Sequence, residues 1–448
     1  MSAGIVIAAP ASGSGKTTVT LALLRLLARE GRIVAPFKTG PDYIDGAFHR
    51  AASAGRPCCN LDAFAMRPAT LNAVLAWGAG QAELVVVEGV MGLFDAAAND
   101  EGSTADLAAR LGLPILLVVD AARQSQSVAA LVHGFRSFRP DVAIGGVVLN
   151  RVASPRHETL LRRALAPLGL PILAALPPRE DLALPSRHLG LMQAEERSGL
   201  DMLLDTAADW LHNGLDRAAF DALLAPLVLA PDVPVPPPAL PPPALPPPAL
   251  PPLGQRIAVA EDVAFAFAYP HLLAGWQAQG ATLLPFSPLA DEAPDATADA
   301  VFLPGGYPEL HAGRLAANRR LMAGLRAAAV RGAVLYGECG GFMLLGEGLT
   351  DAEGRRHAMA GLLPIATSFA TPCRHLGYRR ITALVDMPFG PAGSRFRGHE
   401  FHYSVQTAGA DAPSLFRAAD AEGADLGAMG ARIGNVCGSY LHLIDRAE

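Results

Sequence analysis

The chain has 448 residues, 51% of them apolar and 17% charged, with a net charge of −6 at neutral pH. That is too hydrophobic for disorder, and the length suggests two or three domains, each with its own core. A negative balance with no block of like charge excludes general nucleic-acid binding, and the apolar run Leu113 to Ala122 is far short of the roughly twenty residues a membrane span needs.

The five cysteines (Cys58, Cys59, Cys339, Cys373, Cys437) are too few and too irregular for a disulfide framework or a zinc site. A reducing cytoplasm is the expected setting. The N-terminus lacks a basic start and runs straight into a glycine-bearing loop, so no signal peptide is expected there.

In chain order, short apolar runs predict strands over Gly4–Ala9, Ile33–Lys38, Leu84–Glu88, Ile115–Asp120, Ala143–Asn150 and Ile172–Ala175. Their continuous Val, Ile and Leu content is that of parallel strands buried on both faces, with crossover helices between them. This is an α/β, doubly wound, mostly parallel sheet, whose ligands belong at the carboxyl ends of the strands. After the first strand comes Ala8-Ala-Pro-Ala-Ser-Gly-Ser-Gly-Lys-Thr-Thr18. Gly15, Lys16 and Thr17 fit the second half of a phosphate loop, and Pro10 stands where its first glycine belongs. Backbone N–H groups at such a helix start cradle phosphates, so Ser12, Gly13, Ser14, Gly15, Lys16, Thr17 and Thr18 form the expected ATP site. Lys16 would reach the terminal phosphates and Thr17 a Mg2+ ion.

Pro36-Phe-Lys-Thr-Gly-Pro-Asp-Tyr-Ile-Asp45 follows the second strand. Lys38, Asp42, Tyr43 and Asp45 are its candidate substrate-binding residues, with Asp45 also a candidate metal ligand. Gly-Pro-Asp is also turn chemistry, which keeps a purely structural reading open. Glu88, closing the strand before Gly89, is the expected magnesium carboxylate beside Thr17. Asn150 ends another strand, where its amide could read a purine edge.

Residues 231–252 break the alternation with a Pro-Pro-Pro-Ala-Leu repeat. As polyproline II this run could span up to roughly 68 Å as a semi-rigid spacer. The expected division is therefore a domain over 1–230, a linker over 231–253 and a second domain over 254–448. In the second half, strands are expected over Arg256–Ala260, Thr282–Phe286, Ala300–Pro304 and Val334–Gly337. More antiparallel segments follow around Ile381–Val385, His399–Val405 and Ile433–His442. Gly337-Glu-Cys-Gly-Gly341 reads as a nucleophile elbow with Cys339 at its apex and a helix start to lower the thiol pKa. His442 is the expected base. Gly305 and Gly306, from Leu303-Pro-Gly-Gly-Tyr-Pro-Glu309, and Gly340 are the expected oxyanion donors.

Taken together these stretches, with Val87-Glu-Gly-Val-Met-Gly-Leu-Phe-Asp95 and Arg397-Gly-His-Glu-Phe-His-Tyr-Ser404, resemble the cobyrinic and hydrogenobyrinic acid a,c-diamide synthase family. The resemblance covers the chain outside the proline run. Its first half is also similar to dethiobiotin synthetase, and its second to class I glutamine amidotransferases. The resemblance implies that Cys339 releases ammonia from glutamine, with His442 as its base. ATP and Mg2+ would then phosphorylate a corrinoid carboxylate, which ammonia converts to an amide at the a and c acetates. Many class I glutaminases carry a Glu two residues past the histidine. Ile444 stands there in this chain, so a Cys–His dyad is expected. Arg374, Arg379, Arg380, Arg395 and Arg397, with His399 and His402, are candidates for docking the polycarboxylate ring. A homodimer is left open. The rivals are cobyric acid synthase, a nickel-sirohydrochlorin diamide synthase and, of another class, a partitioning-type ATPase with an inert second domain.

Overall fold

The computed structural model describes residues 2–184, 186–187, 190–191, 193–227, 249–409 and 412–447. Most of the expected linker, residues 231–248, lies outside the described residues. The chain divides into two compact units, one running to Phe64 and resuming at Leu71, the other holding Ala65–Thr70 and the C-terminal half.

In the first unit, helices alternate with strands. They are β1 (Ala3–Ala8), α1 (Lys16–Arg29), β2 (Val34–Thr39), α2 (Asp45–Ala52), β3 (Cys59–Leu61), α3 (Pro68–Ala79), β4 (Leu84–Glu88), α4 (Thr104–Leu111), β5 (Ile115–Asp120), α5 (Ser127–Phe138), β6 (Ile144–Asn150), α6 (Pro155–Leu165), β7 (Ile172–Ala175) and α7 (Leu200–His212). The strand order β3-β2-β4-β1-β5-β6-β7 is parallel throughout, with Ala225–Pro226 adding an antiparallel pair to β1. Every residue of β2 and β4 is buried, as expected of a sheet covered on both faces. Each Val or Leu so buried contributes about 1.5–3 kcal/mol. Registry brings Lys38 level with Glu88, and Glu88 level with Ile7, just ahead of the phosphate loop. Gly15 starts α1 at φ 89°, and a Cβ there would lie 2.1 Å from Asn150 Nδ2, so both backbone and space demand glycine. The strand β3 was not anticipated, because three residues, Cys-Asn-Leu, carry no readable period.

The second unit opens with β8 (Arg256–Ala260), α8 (Pro270–Ala278), β9 (Thr282–Phe286), β10 (Ala300–Leu303), α9 (Arg319–Val330), β11 (Val334–Glu338) and α10 (Gly340–Leu345). It continues with β12 (His375–Ala383), β13 (Arg395–His402), β14 (Phe416–Ala419), β15 (Asp425–Met429), β16 (Ala431–Ile433), β17 (Val436–Ser439) and β18 (Leu441–Arg446). One sheet runs β9-β8-β10-β11-β17-β16 and is parallel except at its last pair; a second, β15-β14-β12-β13-β18, is antiparallel, and a third, mixed sheet joins Gly348–Thr350, Arg356–Ala358, Ala366–Ser368 and Val405–Ala408. Leu303, Leu335, Phe342 and Leu344 lie in the core around the first sheet. β12 begins six residues before the expected strand, since His-Leu-Gly-Tyr-Arg-Arg has no apolar run and is held by pairing with β13. The segment Ala65–Thr70 was expected in the first domain but groups with the second unit. There the Arg67 guanidinium makes a forked contact with the buried Asp445 carboxylate, which also accepts the Arg67 backbone N–H.

Candidate functional site

In the first unit the sheet delivers a lysine and a carboxylate, and the start of α2 a second carboxylate, to one buried point. Lys38 Nζ donates to Glu88 Oε1 at 2.9 Å, pairs closely with Asp45, and lies 3.7 Å from Asp42. Thr17 Oγ1 donates to the same Glu88 oxygen at 2.6 Å. Burial opposes the Lys38 ammonium, but Asp45, Glu88 and Asp42 outweigh it and hold its pKa well above the usual lysine value. Burial also opposes the Glu88 carboxylate, and Lys38, His49 and Lys16 more than compensate, so Glu88 is held ionised. Asp45 is pushed up to about 6, by burial first and then by Asp42. Burial lowers Lys16 to about 8, with Lys38 adding to the effect; its ammonium donates to Met91 O at 2.9 Å.

Thr17, Asp45 and Glu88 offer a hydroxyl and two carboxylates, a hard oxygen set that fits Mg2+. The hydroxyl–carboxylate bond already holds two of these donors within reach of one ion. Asp42 serves a second purpose. Its Oδ1 accepts the N–H groups of Ile44 and Asp45, the turn reading having been one of the two left open. Tyr43 is half-buried on the same loop, while Ser12 and Gly13 are exposed and Thr18 half-buried at the helix start. Ser14 Oγ donates to Ala11 O. The amide of Asn150 is committed to protein: Nδ2 donates to Ser14 O at 2.9 Å and Oδ1 accepts from Arg151 N. Asn150 therefore braces the phosphate loop.

Sequence reasoning missed His49 and Cys58. His49 Nε2 lies 2.5 Å from Glu88 Oε2, and Cys58 Sγ lies 3.4 Å from His49 Nδ1. Burial, reinforced by Cys59, keeps the Cys58 thiol protonated, so the S–H donates to Nδ1 and Nε2–H donates to Glu88. The legible signal was spacing. Asp45 and His49 stand four apart on α2, on one helical face.

In the second unit Cys339 sits between β11 and α10 at φ 47°, ψ −103°, a conformation that side chains rarely adopt. Its N–H donates to Ser439 O at 2.8 Å. Gly341 follows because a Cβ there would lie 2.0 Å from Leu303 O. Gly305 packs between Cys339 and His442: a Cβ at this position would be 2.4 Å from His442 Cε1 and 3.3 Å from Cys339 Cβ. A Cβ on Gly340 would be 3.1 Å from Gly306 N, so these backbone groups converge beside the thiol. The expected lowering of the thiol pKa by the helix is not what the structure gives. Cys339 is almost fully buried, and burial, with Glu309, Glu338 and Glu400 nearby, pushes the thiol well up against the one favourable contact from Gly340 N–H. α10 has only six residues, too little dipole to offset that.

His442 lies on β18 opposite His399 of β13. Burial pushes its imidazole down to about 3, with His399 and His402 adding and Glu400 opposing. Of the candidate arginines, Arg380 and Arg397 are cross-strand neighbours on β12 and β13, with Arg395 on the same face, whereas Arg379 on the opposite face donates from Nε to Glu400 Oε2 at 2.7 Å. Arg380 donates to Ala421 O, and His399 and His402 are buried. No helix among the described residues is long and apolar enough to cross a membrane.

A family model for the CobQ/CobB/MinD/ParA nucleotide binding domain matches residues 5–191, and one for the CobB/CobQ-like glutamine amidotransferase domain matches residues 256–448. The chain is 54% identical over 444 residues to the hydrogenobyrinate a,c-diamide synthase of Brucella suis biovar 1 (strain 1330), spanning 99% of this chain and 98% of that one. It is 52% identical over 446 residues to the protein of the same name from Rhizobium meliloti (strain 1021), spanning 99% and 100%. Among solved structures, PurLQS from Thermotoga maritima aligns with 42% of this chain and 87% of its own, at 21% identity and a TM-score of 0.32.

Proposed function

We propose that this chain, which belongs to the hydrogenobyrinate a,c-diamide synthase family, converts the a and c acetate side chains of hydrogenobyrinate to carboxamides. The reaction class is ATP- and glutamine-dependent amide formation, a C–N ligation that couples a nucleotide-binding unit to a glutaminase. Cys339 attacks the glutamine side-chain carbonyl while His442 Nε2 takes the thiol proton. Gly305, Gly306 and Gly340 would supply N–H groups to the developing oxyanion, and the C–N bond breaks to leave a thioester and ammonia.

In the first unit the phosphate loop from Ser12 to Thr18 binds ATP, with Lys16 against its terminal phosphates. Thr17, Glu88 and Asp45 would hold Mg2+, which when bound offsets phosphate charge. Lys38, Asp42 and Tyr43 line the loop where a ring carboxylate would be oriented for phosphorylation. Ammonia then displaces phosphate from the acyl phosphate. Asn150 is assigned here to bracing the phosphate loop. The observation that carries this reading is the convergence of Cys339, His442 and Gly305 in a chain that also gathers Lys38, Thr17, Asp45 and Glu88. Incubating the purified protein with glutamine, ATP and either the metal-free or the cobalt-containing ring tests it by mass spectrometry. Two carboxyl-to-amide conversions on the metal-free ring are expected. Turnover of the cobalt ring alone would reassign the substrate.

A further inference from the structure

The chain lacks a carboxylate two residues beyond His442, yet it buries one beside that histidine from another element. Glu338 is the last residue of β11, immediately before the nucleophile. Its Oε2 lies 3.7 Å from His442 Nδ1, and both side chains are almost fully buried. Its other oxygen is occupied. Oε1 accepts the Leu443 backbone N–H at 3.1 Å and the Tyr336 hydroxyl at 3.1 Å. Those two donors pin the carboxyl by one oxygen, and leave the second directed at the imidazole. One of them is the backbone of the residue next to His442, so carboxyl and ring are referenced to the same strand.

We propose that Glu338 is the positioning residue of the glutaminase pair, its carboxylate accepting the Nδ1 proton of His442 so that Nε2 faces the thiol as the base. This rests on the reading of Cys339 and His442 as nucleophile and base. A gap of 3.7 Å is longer than a hydrogen bond, and such gaps in ligand-free sites close when the charged state forms. As the Cys339 S–H bond breaks and Nε2–H forms, positive charge develops on a ring that burial strongly disfavours charging. A carboxylate at Nδ1 stabilises that charge. The Nδ1 proton stays on the ring throughout, and the proton taken at Nε2 passes to the departing ammonia nitrogen.

The surroundings support the assignment. His442 faces His399, His402 and Glu400 of β13 and the Cys339 thiol, and Glu338 faces Tyr336 on its own strand. Glu400 is already engaged by Arg379 and His402, which leaves Glu338 as the carboxyl at the Nδ1 edge. Burial pushes the Glu338 carboxyl up to about 8 and the His442 ring down to about 3. Both groups are therefore neutral at rest, and Glu338 must give up its proton to serve as the Nδ1 acceptor.

The test is Glu338→Gln in the full chain. Glutamine keeps an Oε1 acceptor for Leu443 N–H and Tyr336 OH, so a purely structural role survives the change. The carboxylate is lost, and the amide N–H₂ can donate to Nδ1 and trap the wrong tautomer. Glutamine-dependent kcat is expected to fall about 10²–10⁴-fold, with KM for glutamine little changed. Ammonia-dependent amidation and thermal unfolding should match the native protein. The acid limb of kcat/KM for glutamine should also move to lower pH by about one unit or more, because the negative partner that raises the base's pKa is gone. Activity within threefold of native with an unmoved acid limb would reduce Glu338 to a strand cap and overturn the proposal. Parallel loss of ammonia-dependent activity and of thermal stability would overturn it too. Cys339→Ala, assayed alongside, separates the two levels: if that variant keeps glutamine-dependent amidation, the nucleophile reading itself has failed.

Discussion

The cluster around Lys38 and the group around Cys339 bury ionisable side chains in opposite ways. Around the phosphate loop Lys38, Glu88 and Asp45 are packed together, with the lysine held charged by its carboxylates and Glu88 held ionised by its cationic neighbours. Around the elbow, burial drives the thiol and the Glu338 carboxyl up and the His442 ring down, so each rests neutral. An isolated buried ion costs many kcal/mol, so a site keeps charge only where partners are fixed in advance. A nucleotide-binding site benefits from fixed charge that orients anions before chemistry.

The largest effect expected from breaking this contrast is a split in nitrogen source. Cys339→Ala should lower glutamine-dependent amidation by more than about 10⁴-fold while ammonia restores it. Lys16→Ala should abolish amidation from either source. Product formation with each nitrogen donor checks both, and a Cys339→Ala protein still using glutamine would end the division of labour. Next comes Lys38→Met, which leaves Glu88 and Asp45 buried against each other without their cation. A loss of about 3–5 kcal/mol is expected in the first unit. Urea unfolding followed by hydrogen exchange at the β4 amides measures it, and a loss below about 1 kcal/mol would mean the network relaxes into solvent.

How far the sequence showed this depended on the length of its signals. β4, β5 and β7 lie where the apolar runs predict them, because a strand buried on both faces writes its burial into consecutive residues. The elbow was legible from Gly337-Glu-Cys-Gly-Gly341, whose glycines answer to close steric contacts. Glu338 stood inside that same motif and its relation to His442 was invisible, since 104 positions separate them and only the fold sets one carboxyl oxygen at Nδ1. The thiol was misread for a related reason. A helix start is a local feature, whereas burial by β13 and the Gly305 turn is a tertiary one.

A smaller effect separates the units by pH. His271 on α8 is buried, with Nε2 bonded to Ile444 O at 3.1 Å, and burial lowers its pKa from 6.5 to about 4. Above pH 6.5 it is neutral whether folded or not, and contributes nothing. As pH falls toward 4 the unfolded chain takes up a proton that the folded one refuses, and the second unit loses about 3 kcal/mol. His442 acts with the same sign, whereas Glu338, raised to about 8, binds a proton in the folded state over the same window and offsets the loss. Asp45, raised to about 6, binds a proton in the folded state over much of that window and so favours folding of the first unit as pH falls. Calorimetry from pH 7 to 4.5 should therefore show the second unit of His271→Gln losing less stability with acid than that of the native protein, with the first unit unchanged between them. Identical acid dependence of the second unit in the two proteins would remove the His271 contribution.

The smallest effect tests whether the charged site depends on a residue that never meets the ligand. His49 Nε2 holds Glu88 Oε2 at 2.5 Å, while Thr17 and Lys38 share Oε1. The carboxylate is thus fixed at both oxygens, and its remaining lone pairs have a defined direction for a metal. Such outer partners are typically worth 10–100-fold in metal affinity. His49→Gln keeps a donor near Oε2 but loses the Cys58 S–H to Nδ1 relay that fixes the ring. The Mg2+ concentration giving half-maximal ammonia-dependent amidation should rise about 10–100-fold, with the saturated rate changed far less. If the Mg2+ dependence is unmoved and the saturated rate collapses instead, Glu88 holds no ion. Its buried charge would then serve Lys38 alone.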